Sequence, residues 1–537
     1  MTTFMPKNKL SSWFIPTIWL LFMVLLLALI LRPGIYNLDP DLPWHLKFGR
    51  DTLITKQLPN DQIHLWTLQN ETWVDHEWLT NVLMFWSFDH LGYFGLNLLF
   101  ALIVLGVFGL IAYQLKKKHQ GADYFIMAFL LLSYLAILPH LGPRPQTISL
   151  LFLALELLIL EKTKIPPSPP AGGFDGARQH RLKTTLLLAG LFWLWACLHA
   201  GFLIGLMVLA LWSGEQLIVG WRQQNPKKFW LGLQAGCLSF VVTLITPYGF
   251  KLYDFLSTYQ NNAYLSHINE WKSFYIFPLN YWQLLFIAII VAFGIALFGF
   301  GTKLSSLKPW QWLSLLIFLG LGLKSVRHFP LFFVVACLTF VPVWLETNAH
   351  NNLNFILPKW ARLSLKTLLL ITLLSLSIFS WWSLPYFQDP FQSFCQDYPC
   401  QTVQALKANP KYSQLKLFNQ YSYGGWLIWA WPDKQLFIDG RLPQYNFADW
   451  SLLEEYLEFT KTDALAKKLK GYNIEAVLWN NDLPKYRLNW LDKFLGFKEK
   501  EINNRQNNLK DWLDASPDWQ AVFKDEASTI YIRKDKL

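Results

Sequence analysis

Apolar runs of membrane-crossing length recur along this chain, and no other feature limits its fold so strongly. Trp13–Leu31 and Phe94–Leu115 are each long enough, as helices, to cross about 30 Å of hydrocarbon. Lipid offers the backbone no hydrogen-bond partner, so a crossing segment has to be helical. The pattern predicts an α-helical polytopic membrane protein with about eleven spans, near 13–31, 92–115, 122–138, 147–161, 184–198, 202–219, 229–246, 281–301, 310–323, 329–345 and 365–386. Lys7 and Lys9 precede the first run, which exceeds a signal-peptide core and has no small-residue cleavage site after it. It is therefore expected to stay as the first span.

Charge orients these spans. With the amino terminus in the cytoplasm, every second loop should face inward. Those loops hold Lys116-Lys117-Lys118; Lys162, Lys164, Arg178, Arg181 and Lys183; Arg222, Lys227 and Lys228; Lys303 and Lys308; and Lys359 with Arg362. Each is basic, as the positive-inside bias requires. The net charge of +11 therefore does not signal nucleic acid, since no basic groove with interleaved aromatics is present.

The loops on the other side carry acids, histidines and arginines. Asp39 and Asp41 flank a proline just after the first span, and His45 follows. Asp75, His76 and Glu77 precede the second. Arg144 sits between two prolines, His199 joins two spans, Glu270 lies in the loop around 247–280, and Arg327-His328 open the tenth span. Read blandly, the aspartates cap helices and the arginines snorkel to headgroups. Read functionally, a carboxylate at a membrane face can accept a hydroxyl proton or help hold a divalent cation, and a guanidinium suits a phosphate. No histidine pair has the spacing that would specify zinc. Leu42–Leu53 is predicted as an interfacial amphipathic helix. Glu156, toward the inner end of its span, is expected to pack or snorkel.

Beyond Pro385 the apolar runs stop. The domains expected are 1–386 in the membrane, with a first outer loop at 32–91, and 387–537 as a polar α/β domain on the outer side. From Pro390 onward 20 Lys and Arg stand against 19 Asp and Glu. Short β-like runs lie at 415–418, 435–438, 476–479 and 529–532, with a helix-like stretch at 450–470. Asp439-Gly440 reads as a turn, and Arg441 behind it either meets an anion or joins a surface ion pair. Cys395 and Cys400 are spaced to permit a disulfide in an oxidising compartment.

Together these motifs resemble a group of bacterial polytopic proteins related to the GT-C membrane glycosyltransferases. The residues that carry the resemblance are Asp39-Pro40-Asp41-Leu42-Pro43-Trp44-His45-Leu46, Trp73-Val74-Asp75-His76-Glu77-Trp78-Leu79, Trp195-Ala196-Cys197-Leu198-His199-Ala200, Thr246-Pro247-Tyr248-Gly249, Val326-Arg327-His328-Phe329, Gly424-Gly425-Trp426-Leu427 and Asp439-Gly440-Arg441. Pro43 stands where the group has a tryptophan, and Cys197 and Thr246 where it has asparagine. The resemblance implies a bacterial inner-membrane enzyme that inverts a sugar as it moves from a polyprenyl-phosphate donor to an extracytoplasmic glycan, lipid or protein acceptor. Asp39 or Asp41 would be the general base. Arg144 and Arg327 would hold the leaving phosphate, and His45, Asp75, His76, Glu77, His199, Glu270 and His328 would complete substrate binding. Some relatives use a divalent cation and others do not. A lipid or glycan transporter or flippase is the alternative, but it predicts midplane charges and inverted repeats, and neither is visible. A non-catalytic envelope-assembly scaffold is another.

Overall fold

A computed structural model describes residues 9–36, 39–59, 64–68, 71–119, 121–163, 174–260, 268–271, 273, 281–298, 307–348, 359–384, 386, 394–395, 397–442, 445–447, 450–461, 465–483, 487–488, 490–494, 496–502 and 507–537. All eleven apolar segments carry helices. In chain order the principal helices are α1 (Lys9–Tyr36), α2 (Leu42–Thr55), α3 (Trp78–Lys118), α4 (Asp123–Ile137), α5 (Gln146–Lys162), α6 (Phe174–Leu198), α7 (Phe202–Arg222), α8 (Pro226–Thr243), α9 (Lys251–Ser257), α10 (Tyr281–Phe298), α11 (Pro309–Lys324), α12 (Phe329–Asn348) and α13 (Lys359–Trp382). Among the described residues, six helical segments are long and apolar enough to cross a bilayer: Trp13–Ile35, Trp78–Lys118, Arg178–Leu198, Phe202–Arg222, Val326–Glu346 and Ser364–Trp382. The chain is thus a helical membrane protein by the length and composition of these helices. The Pro-rich connector at 166–176 lies largely outside the described residues.

Local chemistry sets the helix ends. Pro226 opens α8 at a position where its missing N–H costs nothing, and Asn225 Oδ1 accepts from the amides of Lys227 and Lys228. The stretch 78–88 is the first part of α3. At 41 residues, α3 is too long for one straight crossing, and Gly92 breaks its helical geometry at φ 66°. That left-handed conformation suits a residue without a side chain.

The bundle has two chemically distinct ends. At one end the last turns of α3, α5 and α12 meet, where Lys118 pairs with Glu161 at 3.6 Å and with Glu346 at 3.0 Å. Nearby, Lys116 pairs with Asp123 at the start of α4 at 3.0 Å. The first turns of the same three helices converge at the other end. α12 runs through the middle, with 78% of its apolar window buried, whereas α13 has 17% buried and packs on α1 at the periphery.

Within the carboxyl-terminal unit, β1 (Leu417–Asn419), β4 (Ala476–Asn480), β5 (Trp519–Lys524) and β6 (Ser528–Arg533) form a sheet in the order β1-β4-β6-β5. The β1–β4 pair is parallel; β4–β6 and β6–β5 are antiparallel. A small antiparallel pair joins β2 (Asn446–Phe447) to β3 (Trp450–Ser451). The stretch 450–470 is broken into β3, a helix at Leu452–Glu458 and another at Leu465–Gly471, with 462–464 outside the described residues. The run at 435–438 forms no ladder; it makes one parallel bridge, from Leu436 to Leu65 of the first outer loop. Cys395 and Cys400 are disulfide-bonded.

The unit does not stand apart from the helices. Leu436 N–H donates to His64 O (2.8 Å), Trp66 N–H to Leu436 O (3.1 Å), Thr67 Oγ1 to Phe437 O (2.7 Å) and Trp66 Nε1 to Leu417 O (3.0 Å). These bonds tie the first outer loop to the sheet region, and the buried apolar residues form one continuous cluster through both parts. As a result α2 does not float in an interface. Leu42 through Gly49 are all buried, between α3 and the helix at Gly424–Ala430.

Candidate functional site

Where the first turns of α3, α5 and α12 converge, a cavity of about 590 Å³ opens beneath the carboxyl-terminal unit. Asp39, Asp41, His45, His76, Glu77, Arg144, His199, Glu270, Arg327 and His328 all line it. Asp75 alone among the expected residues stands behind the wall.

A chain of alternating charge crosses one half. Asp39 pairs with Arg144 through Oδ2 and Nε. Arg144 Nη1 donates to Glu270 Oε1 (2.8 Å), and Arg327 Nη1 donates to Glu270 Oε2 (3.2 Å). Burial disfavours the Glu270 carboxylate, but Arg327 and Arg144 outweigh it and hold its pKa below the usual range. The Arg327 guanidinium also lies over the Trp271 ring at 5.0 Å.

The two aspartates of the first outer loop differ in kind. Asp39 is committed to Arg144, and its Oδ1 accepts the Asp41 amide (2.9 Å). Asp41 does not cap α2 with its side chain. Burial first, and the Asp39 charge second, raise its pKa to about 7. A carboxyl poised there changes protonation at neutral pH.

Glu77 organises the other half. His199 Nε2 and His76 Nε2 lie 3.3 and 3.4 Å from its Oε1, and His45 Nε2 lies 3.9 Å from its Oε2. Burial opposes the Glu77 charge, but His76, His199 and His45 together keep its pKa well below the carboxylate range. Burial also opposes an imidazolium at His76, where Glu77 overrides it and the pKa rises. At His199 burial wins, and the pKa falls to about 4. Burial lowers His45 as well.

Hydrogen bonds fix the proton positions. Gly201 N–H donates to His199 Nδ1 (2.9 Å), so the neutral ring carries its proton on Nε2, toward Glu77. Such a nitrogen is a donor and does not ligate a cation. Among the described residues no group of three or more His, Cys, Asp or Glu is arranged to hold a metal ion. On the far side of Glu77, Asn81 Nδ2 donates to Asp75 Oδ2 (2.8 Å), leaving Asn81 Oδ1 to accept from His45 Nδ1 (2.6 Å). His45 therefore offers an Nε2 lone pair to the cavity. Asp75 acts through this relay and also accepts the Glu77 amide (3.2 Å). It is not the N-cap of α3, whose cap position is Glu77.

Asn81 was not among the expected residues, yet its position betrays it: four residues after Glu77 on a helix is one turn along the same face. Ser149 was also missed. Its hydroxyl meets His199 Nδ1 (2.7 Å) and accepts from Trp195 Nε1 (2.8 Å).

The carboxyl-terminal unit roofs the cavity with Tyr421, Ser422, Gly425, Gly440 and Arg441. A Cβ at Gly425 would come within 2.5 Å of Pro40 O, and one at Gly440 would overlap Asp41 Oδ1. Asp439 and Arg441 form no surface pair. Both side chains are fully buried, 2.6 Å apart, and the guanidinium packs on Trp73 and Phe48 at 4.7 and 4.8 Å.

Comparison with protein-family models gives no match for this chain, and comparison with curated proteins gives none.

Proposed function

We propose that this protein is a membrane glycosyltransferase of GT-C type, moving a sugar from a polyprenyl-phosphate donor to an acceptor outside the cytoplasm. The observation that carries this reading is the single cavity in which Asp41 stands beside Asp39 and across from Arg144 and Arg327. The acceptor hydroxyl attacks the anomeric carbon on the face opposite the phosphate and inverts it. Asp41 takes the hydroxyl proton. The anomeric carbon–oxygen bond breaks, and the phosphate departs with the electron pair toward the two guanidiniums, which stabilise its charge. His45 and Glu77 accept hydroxyls of the bound sugar.

In this reading all eleven helical segments cross a bacterial inner membrane, tilted or partly sheltered where they are short. The lysine-rich end of the bundle faces the cytoplasm with the amino terminus. The cavity and the carboxyl-terminal unit face outward, where the Cys395–Cys400 bond is at home. The roof of Tyr421 and Ser422 chooses the acceptor.

The test is transfer in vesicles supplied with decaprenyl-phosphate sugars and an envelope extract as acceptor source. Parent protein is expected to transfer label, Asp41→Asn to lose it, and a tag after Leu537 to be cut by protease added outside. Full transfer by both Asp39→Asn and Asp41→Asn, or a tag confined to the cytoplasm, would overturn the reading.

A further inference from the structure

The two arginines given to the phosphate are already occupied. Each binds a different oxygen of the same carboxylate, that of Glu270, and Arg144 is held besides by Asp39. Two guanidiniums against two carboxylates sum to zero, so the cluster as it stands has no net charge with which to draw an anion. The seat nevertheless has the form of a phosphate site, because one group with two neighbouring oxygens bridges two guanidiniums, as a phosphate does. Glu270 is also the member best placed to leave. Its side chain is 35% exposed, against 14% for Asp39 and 19% for Arg144. Its backbone is anchored separately, with Ser325 Oγ donating to Glu270 O at 3.0 Å. The carboxylate can therefore turn to water while the chain stays in place.

We propose that Glu270 is a resident stand-in for the ligand's phosphate, and that a phosphate monoester binds by exchange with it. Two phosphate oxygens replace Oε1 and Oε2 on Arg144 and Arg327, and the Glu270 side chain swings outward. No covalent bond changes. After the exchange two arginines face the phosphate against Asp39 and the neighbouring Asp41, a net charge of +1 when Asp41 is protonated and zero when it is not. The exchange also sets a threshold: a ligand carrying a single carboxylate gains nothing over Glu270, whereas a dianionic phosphate does. The proposal rests on the reading of Arg144 and Arg327 as phosphate ligands.

The experiment measures binding of decaprenyl monophosphate, inorganic phosphate and uncharged decaprenol to the purified full chain in detergent. The variants are Glu270→Gln, Glu270→Ala and the double variant Arg144→Gln with Arg327→Gln, each checked for folding by its melting curve. Both Glu270 variants are expected to bind decaprenyl monophosphate about tenfold tighter than the parent, with decaprenol unchanged. An equal gain with inorganic phosphate assigns the seat to any phosphate; a gain with the lipid alone assigns it to a headgroup that also needs its tail. Either gain supports the exchange. Unchanged or weaker binding by both Glu270 variants, with binding lost in the arginine double variant, would overturn the exchange and leave the arginines as phosphate ligands. Parental binding by the arginine double variant would overturn the phosphate reading itself.

Discussion

Gly440 leaves no room for a methyl group beside Asp41: a Cβ at that position would overlap Asp41 Oδ1. The carboxyl-terminal unit thus rests directly on the carboxylate to which the proton transfer is assigned. Gly440→Ala must displace Asp41 or raise the roof. A destabilisation of about 1–3 kcal/mol is expected, as for other overpacked positions. A fall in transfer rate larger than the fall in melting temperature explains should accompany it. A variant that melts and transfers like the parent would mean that the contact is slack.

A pKa of about 7 at Asp41 makes a kinetic statement. The general base works as carboxylate, so kcat/KM is expected to rise about tenfold per pH unit below about 7 and to level off above it. A profile that is flat from about pH 5 to 8 would remove Asp41 from that role.

Linkage makes a second statement about pH. Asp75, raised to about 6 by burial, holds its proton more tightly folded than unfolded. Its contribution therefore favours the fold below the usual carboxylate range and is lost as pH rises through about 6. Glu77 runs the other way: its stabilisation is present at neutral pH and is lost on acidification below its ordinary range. Asp75→Asn is expected to flatten the decline in melting temperature between about pH 4 and 6. An unchanged slope counts against the shift.

Asn81 satisfies His45 on one side and Asp75 on the other. Asn81→Leu leaves both buried groups without that partner, at a cost of about 1–3 kcal/mol for each. A drop in melting temperature of several degrees is expected, together with slower transfer as His45 loses its fixed tautomer. Asn81→Asp, by placing a second carboxylate against Asp75, should fare no better.

Much of this architecture can be read from the chain, and the misreadings have physical causes. Period and charge suffice for the helices, because lipid leaves a crossing backbone one option. The site's charged residues are legible because ionisable groups at span ends are costly unless used. The role of Asn81 is less so, since an amide carries no charge to mark it and its partner lies 36 residues away. Leu436 illustrates another limit. Its run has strand composition, but its bridge partner is in another part of the chain, and β propensity says nothing about which edge a segment meets. Trp519–Lys524 is not legible as a strand because Trp519, Ala521, Val522 and Phe523 do not alternate with polar residues.

Of the two fates expected for Glu156, packing and snorkelling, the structure shows packing, in a way that can be measured. It does not snorkel. It is fully buried on α5, and neither carboxylate oxygen has a hydrogen-bond partner among the described residues. A Cβ at Gly205 on α7 would lie 3.0 Å from one of those oxygens. Burying a polar group without a partner costs about 1–3 kcal/mol on mutational scales. Glu156→Leu should therefore melt at or above the parent temperature. A marked loss of stability would show that the carboxyl has a partner after all.

The seam between residues 64–67 and the rim of the sheet has a practical corollary for anyone dividing this protein. A chain severed after Leu384 would strip Trp66 and Thr67 of their acceptors, and the excised carboxyl-terminal unit would present Leu436 and Phe437 with bare carbonyls and no neighbour to cover them. Neither fragment inherits a finished surface, so the two should be produced, purified and mutated as one molecule.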